Sequence, residues 1–174
     1  MGDAEERWEG DVVLADGGVV HLRPIRPEDA DAVVAFHQRQ SPESLYYRYF
    51  SPTPTLTADE VEHLTSVDHV NSVAVVAFDG DQLIGIGRYD RIDARSAEVA
   101  FNISDHFQGK GIGSVLLEHL AAIAQEFGIA RFTAEVLPQN RKMLSVFSDA
   151  GYDVTRHIED GVVEVGFDIE PTDS

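Results

Sequence analysis

Residues 108–113 read Gln108-Gly109-Lys110-Gly111-Ile112-Gly113, with Ser114 next. Glycine at every second position lets the chain turn tightly and gather several backbone N–H groups in one small concavity. An alternating apolar strand runs into this turn and a long amphipathic helix leaves it. The positive end of the helix dipole therefore falls on the same spot. Residues of these types in this order make an anion cradle, suited to a phosphate or pyrophosphate. A tight strand-to-helix turn that binds nothing is the plainer alternative. Two common phosphate loops do not fit. A Walker loop requires Ser or Thr after its lysine, but Gly111 follows Lys110, and Ser104 stands where its first glycine belongs. A dinucleotide loop requires its last glycine where Ser114 stands.

The rest of the composition narrows the chemistry around that turn. The 174 residues contain no cysteine, so disulfides, thiolate metal sites and a cysteinyl acyl-enzyme are excluded. The seven histidines are scattered without metal-ligand spacing, and no metal is expected. The formal charge is −18, which disfavours nucleic acid, because neutralising phosphates needs a basic face. Such a surface either attracts cationic acceptors, protein lysines or amines, or simply keeps the chain in solution. Lys110 and Lys142 are the only lysines, and both lie beside segments that could meet phosphate. No apolar run approaches the ~20 residues of a membrane span, and the start from Met1 to Trp8 lacks the apolar core of a signal peptide. A cytoplasmic location is the expectation.

The elements that must position the turn are legible from period and punctuation. Residues 11–23 read as a hairpin around Asp16-Gly17-Gly18, and Arg26-Pro27-Glu28-Asp29 opens a helix carrying Ala30, Val33, Val34 and His37 on one face. A second helix is expected from Ser41 through Phe50. Thr57-Ala58-Asp59-Glu60 is a capping box before a third. The period then switches to two. Residues 71–78 and 82–90 form strands around Asp79-Gly80-Asp81, and residues 96–103 form the next. Helix over 111–127, strand over 131–137 and helix over 140–150 follow. A last strand pair is expected over 152–157 and 162–168, around Glu159-Asp160-Gly161. The fold class is α+β, one mixed, mostly antiparallel sheet flanked by helices. A single domain over residues 11–169 is expected, with residues 1–10 and 170–174 disordered.

With these elements around it, the turn resembles the Gln/Arg-x-x-Gly-x-Gly/Ala pyrophosphate loop of the GNAT superfamily of acyl-CoA-dependent N-acyltransferases. A second segment, Asn140-x-x-Met143-x-x-Val146-Phe147-x-x-x-Gly151-Tyr152, is similar to the superfamily's downstream signature. The resemblance spans roughly residues 19–168 and implies the GNAT fold with acetyl-CoA as cosubstrate and no metal. It implies that the backbone of Phe101, Asn102 and Ile103 holds the pantetheine arm, as a peptide adds to a strand edge. Gln108, Gly109, Lys110, Gly111, Ile112, Gly113 and Ser114 would cradle the pyrophosphate, and Asn140 would assist or merely cap its own helix. It also implies that Glu98, out of phase with the Val99/Phe101/Ile103 face, is the general base. An amine with a pKa of about 10.4 is almost wholly protonated at neutral pH, and a carboxylate can take that proton. An exposed strand glutamate with no such role is the alternative. Phe147 departs from the pattern, standing where many relatives carry a tyrosine that protonates the leaving thiolate.

A narrower likeness lies in residues 22–29 (Leu22-Arg23-Pro24-Ile25-Arg26-Pro27-Glu28-Asp29), Tyr46-Tyr47-Arg48-Tyr49-Phe50-Ser51 and residues 135–144. These resemble the bacterial Pat-type protein lysine acetyltransferases, which act on AMP-forming acyl-CoA synthetases. The implied acceptor is a protein lysine, and the implied partner such a synthetase. Some Pat-type proteins carry a fused cyclic-nucleotide or synthetase-like domain. These residues have no room for either, so control of that kind is expected from another chain if at all. His37 and Tyr46–Tyr49 fall where the superfamily walls its acceptor groove. A core role for His37 and a structural carboxylate partner for Arg48 are the plainer readings. A small-molecule amine acetyltransferase and a non-catalytic acyl-CoA-binding sensor remain as alternatives.

Overall fold

The computed structural model describes residues 8–14, 16–39, 57–104, 107, 111–149 and 152–169. In chain order these form β1 (Gly10–Val13), β2 (Val19–Pro24), a 3-10 turn (Pro27–Asp29), α1 (Ala30–Gln38), α2 (Ala58–Thr65), β3 (Ser72–Asp79), β4 (Gln82–Arg91) and β5 (Ser96–Ile103). Then follow α3 (Ile112–Glu126), β6 (Arg131–Val136), α4 (Arg141–Asp149), β7 (Thr155–Glu159) and β8 (Val162–Asp168). The helix expected from Ser41 to Phe50 lies outside the described residues.

All strands join one eight-stranded sheet in the order β1-β2-β3-β4-β5-β6-β8-β7. Neighbours run antiparallel except β5 and β6, which are parallel and therefore need a crossover; α3 supplies it. The α+β class read from the sequence, one mixed, mostly antiparallel sheet flanked by helices, is the one observed. Two apolar layers bury the sheet. On one face Ala97, Val99, Phe101 and Ile103 of β5 pack with Leu116, Leu117 and Leu120 of α3 and with Phe132, Phe147 and Phe167. On the other, Val33 and Phe36 of α1 cover Ala74, Val76 and Leu83.

Local signals hold where expected. Thr57 Oγ1 accepts from the Glu60 N–H and Glu60 Oε1 from the Thr57 N–H, each at 3.1 Å, which completes the capping box. Arg23 forks onto Asp29, NH1 to Oδ2 at 2.8 Å and NH2 to Oδ1 at 2.6 Å, and ties the entry of α1 to β2. Two boundaries move. The described chain begins before residue 11: Trp8 is buried, stacks edge-on against Phe127 and donates to Glu126 at 3.0 Å, while Gly10 already belongs to β1. The strand expected over 152–157 is instead Thr155–Glu159. Asp160 and Gly161 both take positive φ, so they form a two-residue turn that pairs Glu159 with Val162 and sets the register.

Candidate active site

The site starts where two strands part. β5 pairs with β6 only at Ser96↔Arg131, Ala97↔Phe132 and Glu98↔Thr133. Past Glu98, β5 stays with β4 up to Ile103, while β6 stays with β8 up to Val136. A wedge therefore opens between them, with Glu98 at its apex. Backbone alternation decides what β5 offers to that wedge. The Ser104 N–H donates to Ile84 O at 2.8 Å, so position 104 faces β4. By the two-residue period Asn102 also spends its backbone on β4, whereas the N–H and C=O of Phe101 and Ile103 point into the wedge. Of the three residues expected to hold an arm by their backbone, Phe101 and Ile103 turn theirs toward the wedge and Asn102 turns its own toward β4. The Asn102 side chain lies on the opposite face, buried beside Ile86 in register.

At the far end of the wedge stands the helix that follows the glycine turn. Gln108, Gly109 and Lys110 lie outside the described residues. Gly111 is the N-cap of α3 at φ 91°, ψ 3°, a left-handed conformation that side chains resist. A Cβ built there would meet nothing within 4 Å, so the space above this backbone is open. Among the described residues no side chain caps the helix, and its first turn holds no acid, so the N–H groups of Ile112, Gly113 and Ser114 lie at the positive end of the helix dipole. The Ile112 side chain is in the core. Gly113 has a packing reason as well: its Cβ would lie 2.9 Å from Val146 and 3.2 Å from Ile103, so α4 could not approach α3 if it carried one.

Asn140 caps α4, with Oδ1 accepting from the Met143 N–H at 3.3 Å. The cap uses the oxygen and leaves the amide nitrogen for another acceptor. Phe147 is 1% exposed and sits between Phe101 and Phe167, with centroids 6.1 and 5.6 Å away. It is a core aromatic in this chain, not a group lining water. His37 is buried in α1, as its plainer reading anticipated, and Tyr46–Tyr49 and Arg48 fall outside the described residues.

Glu98 is exposed on the face opposite the α3 layer. In register with it across β4 is Asp90, whose Oδ1 accepts from Arg88 at 2.9 Å and from Ser72 Oγ at 2.7 Å. Sequence reasoning missed this trio. Its only signal was charge at alternate positions of a strand otherwise rich in apolar residues and glycine. Further along the same face, Glu135 and Glu164 are exposed and paired in register. No group of histidine and carboxylate side chains able to hold a metal occurs among the described residues.

Residues 20–153 match the acetyltransferase (GNAT) domain family. The chain is 34% identical over 171 residues to the acetyltransferase Pat of Mycolicibacterium smegmatis, covering 94% of this chain and 50% of that one. It thus spans about half the length of that curated relative. Among solved structures, the GNAT domain of S. lividans PAT superposes with a TM-score of 0.89 at 50% identity, covering 93% of this chain and 97% of that domain. The acetyltransferase-like yncA of Salmonella typhimurium, solved with its cofactor acetyl-CoA, shares the fold at a TM-score of 0.71 and 15% identity, over 89% and 96% of the two chains. The strand wedge, the uncapped helix behind a left-handed glycine and these likenesses agree, and the chain belongs to the GNAT family of acetyltransferases.

Proposed function

We propose that this protein transfers the acetyl group of acetyl-CoA to the side-chain amine of a protein lysine, with Glu98 as the general base. The position of Glu98 at the apex of the wedge carries the reading. The Phe101 and Ile103 backbone edge suits an amide-bearing pantetheine arm. The open space over Gly111 and the first-turn N–H groups of α3 suit a pyrophosphate, with Gln108, Gly109 and Lys110 completing the cradle and Asn140 offering its amide nitrogen. When bound, acetyl-CoA supplies an activated acetyl thioester. The chain's own work is to hold it along β5, admit the acceptor over the opposite face and move one proton. Glu98 takes that proton as the amine's nitrogen bonds to the acetyl carbon and the carbon–sulfur bond breaks. Phe147 has no proton to give, so the departing thiolate takes one from water.

A lysine of an AMP-forming acyl-CoA synthetase is the candidate acceptor, on the strength of the Pat-type segments and the likeness to S. lividans PAT. The exposed carboxylates on the Glu98 face also suit a small polycationic amine, which is the second reading. Labelled acetyl-CoA turned over against a cell lysate separates them. Label on protein lysines supports the first, and label confined to small molecules removes it. No transfer beyond that of boiled protein would instead favour a binding module.

A further inference from the structure

The charges at the start of α4 run against the pattern of the chain. The 3-10 turn carries Glu28 and Asp29 in its first turn, α1 carries Asp31, and α2 carries Asp59 and Glu60. Acids there suit the positive end of a helix dipole. α4 instead opens on two cations, Arg141 and Lys142, with no acid in its first turn. Both are exposed and, among the described residues, neither meets a carboxylate. Other guanidinium groups are engaged. Arg23, Arg26, Arg88 and Arg131 pair with carboxylates, and Arg39 and Arg91 donate to backbone carbonyls. In a chain with 31 Asp and Glu against 13 Lys and Arg, composition does not supply two adjacent cations without acids around them. Like charges at this end of a helix weaken it unless an anion joins them.

Helix geometry sets where these cations stand. Val146 of α4 lies against the first turn of α3, 2.9 Å from the position that a Cβ on Gly113 would take. Lys142 comes four residues before Val146 and so shares its face, one turn nearer the start of α4. Arg141 is the next position round that turn. Asn140 precedes both, and its Oδ1 accepts from the Met143 N–H, which leaves the amide nitrogen as a donor. The three side chains thus bear donors about one helical turn from the α3 first turn, beside the pyrophosphate position and not on it. A second anionic group of the same ligand fits there. In coenzyme A that group is the 3′-phosphate, one ribose away from the pyrophosphate. As a phosphate monoester it carries about −1.5 to −2 charges at neutral pH, which two cations match. Arginine can fork onto its oxygens, and lysine adds a point charge.

We propose that Arg141 and Lys142, with the Asn140 amide, form a second phosphate site that takes the 3′-phosphate of coenzyme A. The acyl donor is then selected by its 3′-phosphorylated adenosine as well as by its pyrophosphate. The inference rests on acetyl-CoA as the donor, and its test keeps the two apart. Calorimetry with coenzyme A and with 3′-dephospho-coenzyme A needs no acceptor and no turnover. The protein should bind coenzyme A about tenfold to a hundredfold more tightly, the range of one hydrogen bond to a charged group. Arg141→Gln with Lys142→Gln removes both charges and should bring both ligands to the affinity of the dephospho form. Arg26→Gln with Arg95→Gln removes the same charge away from α4 and should keep the preference. Without ligand, the α4 pair should melt no lower than this control pair, because its cations oppose the dipole. A larger loss of melting temperature in the α4 pair would mean that these cations serve the fold, and it overturns the proposal. Equal affinities of the unaltered protein for the two ligands overturn it without any variant. Equal weakening of both ligands by the α4 pair assigns the cations to the pyrophosphate, which removes this inference and leaves the donor intact. A preference lost in the control pair reduces the effect to overall charge and overturns it as well. Binding of neither ligand by the unaltered protein removes the donor and the inference together.

Discussion

At the scale of the residue, the proposed reaction sets two proton transfers in competition, with Glu98 and Phe147 on opposite sides of it. The amine proton, at a pKa of about 10.4, is harder to remove than a thiolate near 8.5 is to expel. Glu98→Gln should therefore cost about 10²–10⁴-fold in kcat with little change in acetyl-CoA affinity, and parent-like kcat across pH 6–9 would exclude it as the base. Phe147→Tyr should change kcat by less than about tenfold, equivalent to roughly 1.4 kcal/mol of barrier. The structure adds a stability cost. The ring is packed between Phe101 and Phe167 at 1% exposure, so a hydroxyl without a partner should destabilise by about 1–3 kcal/mol. Chemical denaturation reads that loss independently of turnover. A hundredfold gain in kcat in the folded variant would show that thiolate protonation limits the rate.

At the scale of the element, the N-terminus of α3 carries the cofactor reading. Gly111 is favoured there by its left-handed backbone, and the space above it is open, where the proposed pyrophosphate would sit. Two variants separate strain from charge. Gly111→Ala adds backbone strain of about 1 kcal/mol, whereas Gly111→Asp adds the same strain and a negative charge. Calorimetry should find acetyl-CoA bound at least tenfold more weakly by Gly111→Asp than by Gly111→Ala. Equal affinities in two folded variants would move the pyrophosphate away from α3. Gly113 serves packing as well, because a Cβ there would collide with Val146 of α4 and Ile103 of β5.

At the scale of the whole molecule, pH acts on stability from two sides. Asp29 is buried, which opposes its charge, yet the Arg23 fork and the Arg26 N–H hold its carboxyl below the usual range. The Asp90 carboxyl is held low in the same way, and Asp68, which accepts from the N–H groups of Val70, Asn71 and Ser72, also stays low. Unfolding raises these pKa values, so the stability they contribute is present above about 3.9 and is lost as pH falls below it. His21 works in the opposite sense. Its ring nitrogens lie 2.8 Å from Asp11 and 2.7 Å from Glu9, so both can donate only in the imidazolium, and these bonds raise its pKa. Its contribution is complete below about 6.5 and fades as pH rises through the higher folded value. The net charge of −18 adds self-repulsion in the same direction. Thermal melts should therefore peak between about pH 4.5 and 6.5, and His21→Asn should flatten the alkaline side. A melting temperature that climbs steadily from pH 5.5 to 8 would contradict this account of β1 and its histidine.

Much of this molecule was written in local pattern. The Asp79-Gly80-Asp81 hairpin, the Thr57–Glu60 capping box, the alternation of Ala97 to Ile103 and the stretch from Gly111 to Gly128 each depend on neighbours a few residues apart. Helix and strand periods encode such order directly, and with it the fold class. The turn of the last hairpin, read as Glu159-Asp160-Gly161, narrows to Asp160-Gly161 because Glu159 pairs with Val162. Other features come from strands and segments far apart in the chain. The wedge past Glu98 exists because β5 follows β4 while β6 follows β8, a divergence that neither strand's own residues declare. The burial of Trp8 depends on α3 more than a hundred residues later, through a hydrogen bond to Glu126. Phe147 looked like a missing acid, but Phe101 and Phe167 make it part of the core. Asp90 and Glu98 became neighbours only through register, since charge acts through space and a one-residue slip would have turned them to opposite faces.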